Sequence, residues 1–143
     1  MAITQALPNS FKKQLLDGDQ DFSQSSGDVF KLALYVSTAT LGASTTAYTS
    51  TGEVSASGSY SAGGGTLVNS GTSVVSTVAF TDFADLSFTG VTITARGALI
   101  YNTSFSNAAV AVLNFTTDKT ATDGTFTIQF PAFTSTSAII RIS

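Results

Sequence analysis

The chain has no cysteine, no histidine, no tryptophan and only two prolines in 143 residues. Without cysteine there is no disulfide framework and no thiolate nucleophile. Without histidine the commonest general base is gone, and with both missing so are the two best transition-metal ligands. Charge is also scarce: six basic and nine acidic side chains make up 10% of the residues and leave a net charge of −3, where about 25% charged is usual. Scattered lysines and arginines cannot form the positive stripe that nucleic acid requires. No apolar run reaches the length of a membrane helix. The opening "MAITQALPNSFKKQLLDGDQ" lacks the apolar core of a secretory signal. The expectation is a protein made in a cytoplasm, with no nucleic acid, membrane, metal or cofactor among its partners.

What the chain does have is β-forming material. Hydrophobic residues are 43% of it, with 11 Phe and 12 Gly, and Ser, Thr and Val are abundant. Branched and aromatic side chains fit a pleated, half-buried surface. From Asp28 onward the apolar period is two: in "DVFKLALYVS", Phe30, Leu32, Leu34 and Val36 share one face. "GEVSASGSY", "GTLVNSG", "TSVVSTVAFTDF", "ADLSFTG", "VTITARGALIYN", "AAVAVLNFT", "GTFTIQFPAF" and "SAIIRIS" follow, with Gly63–Gly65 as a turn or hairpin tip. This predicts about eight or nine strands and no crossover helices. The fold class is all-β, an antiparallel β-sandwich with jelly-roll or immunoglobulin-like connections, though the cysteine pair and tryptophan of antibody-type domains are missing.

Residues 1–27 read differently. Phe11, Leu15 and Leu16 fall near helical spacing, Asn9 or Ser10 suits a cap, and Gly18 suits a stop. A helix of about two turns is marginal unless it packs on something. It packs on its own domain or serves as an arm docking on a neighbouring subunit. The organisation expected is an N-terminal arm, 1–27, and a β-sandwich domain, 28–143. As an arm, residues 1–22 would be removable, leaving a folded domain that no longer assembles.

The remaining candidates are weak as chemistry. Asp82 and Asp85 in "FTDFADLSF" are a conceivable carboxylate pair, but acids in turns are usually solvated turn formers. Asp17, Asp19, Asp21 and Asp28 match the first, third, fifth and twelfth places of a calcium-loop template. Phe22 stands where that loop needs glycine, so an acidic linker is the preferred reading. Arg96, in "TITARGALIYN", either pairs with Asp82 or Asp85 or anchors a subunit interface. No catalytic residue is expected. The interface candidates are Phe11, Leu15, Leu16 and Arg96.

The segments "MAITQALPNSFKKQLLDGDQDF", "GDVFKLALYVSTATLGASTTAYTSTGEV", "TDFADLSFTGVTITARGALIYN", "AVAVLNFTTDKTATDGTFTIQFPA" and "AIIRI", in that order, resemble a small virion structural protein of tailed bacteriophages, of the cyanophage and aquatic phage type. The resemblance runs along nearly the whole chain and is least distinctive over residues 55–80. It implies a non-enzymatic component of the virion. A β-sandwich with an arm suits a capsid decoration, or cement, protein, a homo-oligomer bound to the major capsid protein. A tail, neck or fibre-associated module touching other virion proteins or the host surface is the alternative.

Overall fold

In the computed structural model, which describes residues 2–143, the Thr-, Val- and Phe-rich segments form seven strands behind one short helix. They are α1 (Asn9–Asp17), β1 (Phe30–Tyr35), β2 (Gly65–Thr66), β3 (Asn69–Val75), β4 (Val78–Phe83), β5 (Leu86–Asn102), β6 (Ala108–Ile128) and β7 (Ile140–Ile142). Two sheets result, one ordered β2-β1-β5-β6 and the other β3-β4-β7, with every pairing between these strands antiparallel. They pack face to face as a β-sandwich. Its core joins Phe30, Leu32 and Leu34 of β1, Ala98 and Ile100 of β5 and Val110 of β6 to Phe83 of β4 and Ile140 of β7.

The long β5–β6 hairpin changes character at Arg96. Leu86–Ala95 mostly alternates buried and exposed residues, the pattern of a strand wetted on one face, whereas Gly97–Asn102 is buried throughout. That inner half is covered twice. One face meets the second sheet, and Leu99 and Tyr101 on the other meet Ile3, Leu41 and Tyr48 from the N-terminal segment and the long β1–β2 connection. At the switch the register jumps: Ala95 faces Lys119 and Gly97 faces Asn114. β6 thus carries three more residues than β5 here and bulges around Thr116, whose φ is +68°.

Fewer strands form than the eight or nine expected, for physical reasons. "ADLSFTG" and "VTITARGALIYN" join into β5 because Gly90, at φ +60°, bulges the strand without ending it. "AAVAVLNFT" and "GTFTIQF" join into β6 in the same way. "TSVVSTVAFTDF" is two strands, broken at Ser76 with φ +55°. "GEVSASGSY" makes only isolated bridges at Glu53, Ser57 and Tyr60.

The boundary expected at residue 27 does not separate two packing units. Phe11 and Phe22 are 0% and 5% exposed within the main core. Phe22 stacks on Phe30 at 4.6 Å and meets Phe11 and Phe83 edge-on at 6.0 and 6.2 Å. Ala6 exchanges backbone hydrogen bonds with Val112 on the edge of β6. The helix begins after Pro8, with no side-chain cap, so neither Asn9 nor Ser10 fills that role. It ends as expected at Gly18, whose φ of +80° lets its N–H and that of Asp19 reach back to Leu15 and Gln14.

Candidate interaction surface

The four interface candidates have separate fates. Phe11 is wholly inside this chain's own core and presents nothing to a neighbour. Leu15 is half-buried and packed against that core. Leu16, on the far side of the helix, is 91% exposed. Arg96 bonds through Nε to Asp118 at 2.8 Å, beside the β6 bulge, and not to Asp82 or Asp85. The bulge supplies the partner: its extra residues bring an acid across from an arginine that alternation turns outward.

Those other two acids have backbone partners elsewhere. Asp85 accepts the Phe130 N–H at 2.8 Å. Asp82 is 1% exposed and accepts the Phe83 N–H, while its second oxygen is buried with no partner. Burial pushes the Asp82 carboxyl up from the usual range, and nearby Asp85 adds to this. The acidic stretch after the helix is spent on local turns. Asp17 pairs with Lys13 one turn back. Asp21 accepts the Ser23 N–H and hydroxyl, and Asp28 accepts the Asp21 N–H and the Asn102 amide. Among the described residues, no three acidic side chains gather as a cation would need.

One arrangement escaped the sequence reading. All four tyrosines of the chain converge around Glu53. Its carboxylate accepts from the Tyr48 hydroxyl at 2.6 Å, the Tyr60 hydroxyl at 2.7 Å and the Gly63 N–H at 2.7 Å. Tyr60 also accepts the Leu34 N–H, Tyr101 donates to the Gly63 carbonyl, and Tyr35 donates to the Thr49 carbonyl. Burial first, and then Glu53, pushes the Tyr48 hydroxyl up to about 12; burial raises the other three as well. All four therefore remain donors near neutral pH. The network pins the glycine turn to β1, where Gly64 at φ +80° lies so close that an added Cβ would sit 1.8 Å from the Leu32 carbonyl oxygen. No sequence signal marks this cluster, because its members come from four separate segments.

The surface left open is apolar and lies at one end of the second sheet. Val74, Ala79 and Ile142 form a row across β3, β4 and β7. They share a face with Thr81 and Ile140, which are buried against the first sheet. The row runs past the edge of that cover, leaving Val74 66% and Ile142 54% exposed. On the opposite face Val75 is exposed, and Phe80 is lidded by half-open Phe133, their rings 5.0 Å apart. A second apolar feature is a groove of about 640 Å³ beside β6, lined by Leu113, Phe115, Phe126, Phe130 and Ile139. It starts beside the Ala6–Val112 pairing and runs along β6 from there. Such surfaces act through burial and strand pairing.

Compared with known proteins, the chain matches no family model, no curated protein and no solved structure.

Proposed function

We propose that this chain is a structural component of a bacteriophage virion, and that it works as a decoration protein bound to the capsid shell. The observation that carries the reading is the apolar end of the second sheet. Val74 and Ile142 stand exposed on one face of that end, and Val75 and Phe133 on the other. Apolar side chains open on both faces of one sheet end suit a surface that other protein covers. Support also comes from the chain-long resemblance to small phage structural proteins, and from low charge, which lets many copies sit close together.

On this reading the neighbours are the major capsid protein and further copies of the chain, and no bond is made or broken. The test is stoichiometry in purified particles, measured by quantitative mass spectrometry. Copies comparable in number to the major capsid subunit support the shell. Copies comparable to a single tail or neck ring overturn the decoration role in favour of a tail module. Absence from particles overturns the virion reading altogether.

A further inference from the structure

We propose that β3 is a self-pairing strand: two copies of this chain join edge to edge, antiparallel, about a two-fold axis at Val74. The inference deepens the assembly reading above by naming one partner for the apolar end.

Among the described residues, β3 and the part of β6 beyond Asn114 are long strand edges that no other strand covers, and they are treated differently. The uncovered stretch of β6 carries the devices that blunt an edge: residues at positive φ (Thr116, Asp123) and charges (Asp118, Lys119, Asp123). The outer edge of β3 has none of them beyond its irregular start. Between Thr72 and Val75 it is regular and exposed, with three β-branched residues in four and no proline, glycine or charge. An edge of that composition is a template for another strand. A folded protein that leaves one bare has a use for it.

Charge admits a second copy as the occupant, and a self-complementary register about Val74 favours it. The chain carries a net charge of −3, so identical copies repel in general. Yet no charged residue lies between Glu53 and Asp82, and β3 with its turn falls inside that stretch. The strand and its turn therefore bring no charge of their own to a contact between copies.

The hairpin geometry also fits. The two-residue turn at Ser76 and Thr77 makes Val75 and Val78 a hydrogen-bonded pair. By alternation Thr72 and Val74 then point their N–H and C=O groups outward. An axis at Val74 sets Val74 against its own copy as a hydrogen-bonded pair, with Ser73 opposite Val75 on either side. The two three-stranded sheets become one of six strands. The apolar row Ile142, Ala79, Val74 then continues across the axis into its mirror sequence on the same face, covering Val74 and extending the patch. The interface is isologous and closes at two copies.

Sedimentation of the purified protein over a concentration series tests this, together with single-cysteine variants. The chain has no native cysteine, so a disulfide dimer reports one position only. The expected wild-type species is a dimer. Val74→Lys should weaken it about tenfold or more, by placing like charges opposite one another. Val74→Cys should form a disulfide dimer on mild oxidation, since paired Cα atoms about 5.5 Å apart suit the bond. Thr94→Cys, on the far hairpin, should not. Val74 is exposed, so the melting temperatures of its variants confirm that they fold. A wild-type monomer overturns the proposal, as does a dimer indifferent to Val74→Lys, or a Val74→Cys that cross-links no better than Thr94→Cys. These results are read in solution, whereas the virion reading is decided by particle composition, so either can fail alone.

Discussion

Phe22→Ala is the sharpest probe of how the N-terminal segment is held. The ring is 5% exposed, stacks on Phe30 at 4.6 Å and touches Phe11 and Phe83 edge-on. Truncating a buried phenylalanine costs about 3–5 kcal/mol, from lost transfer energy and the cavity left behind. Four interlocked rings allow little collapse into that cavity, which argues for the upper part of the range. The entropy of unfolding is about 2.1 cal/mol/K per residue, so a chain of 143 residues gains about 0.3 kcal/mol/K. The melting temperature should therefore fall by about 10–17 °C. Total stability for such a domain is about 5–15 kcal/mol, so removing residues 1–22, with Ile3, Phe11 and Phe22 all buried, should unfold it. Calorimetry or circular dichroism measures both. Leu16→Ala, at a position 91% exposed, is the control and should stay within about 0.5 kcal/mol. A Phe22→Ala shift no larger than that of Leu16→Ala would mean that the segment is an independent arm after all.

Other perturbations test the remaining features. Tyr60→Phe strips the Leu34 N–H of its acceptor and Glu53 of a donor; a loss of about 1–3 kcal/mol should appear as a lower denaturation midpoint at unchanged slope. Asp82 has a carboxyl raised above its unfolded value, so its stabilising share is fully present below the unfolded pKa and is lost as pH rises through the folded one. Stability measured across that acidic window should fall with rising pH in the wild type, and less so in Asp82→Asn. Gly64→Ala and Gly18→Ala share a φ of +80°, but only Gly64 would meet backbone, while Gly18 has nothing within 4 Å. Gly18→Ala should cost about 1 kcal/mol and Gly64→Ala far more in a parallel melt. Arg96→Ala breaks a half-exposed pair with Asp118 and should cost about 0.2–1 kcal/mol, less at high salt.

The period-two pattern made the sandwich legible, because alternation is imposed on any strand with one wet face. Where it misled, the cause was a backbone device that composition hides. Ser76 turns a continuous β-branched run into a hairpin, and Gly90 lets one strand pass through what reads as a turn. The apolar spacing of Phe11 and Leu15 announced the helix but not the surface it would cover. That depended on Phe30 and Phe83, far along the chain. Arg96 drew attention as the lone cation of its strand, yet its partner was set by a bulge of β6 that no local motif encodes. The apolar end was written plainly in "TSVVSTVAF", and it stayed unread because one buried strand looks the same as two exposed ones.

The β5–β6 pairing also bears on how quickly this molecule reaches its native state. Sandwiches are ordinarily slow folders, since their sheets join distant stretches of chain and each closure must be met before it is rewarded. Here the central ladder is made by adjacent segments meeting across the Thr103–Asn107 turn. It can zip outward from that turn, pair by pair, on the microsecond scale typical of hairpins. The slower, long-range events would then be the arrival of β1 and of the second sheet onto a ladder already standing. A refolding experiment should find protection of Ala98–Tyr101 and Ala109–Leu113 amides ahead of those in β4 and β7.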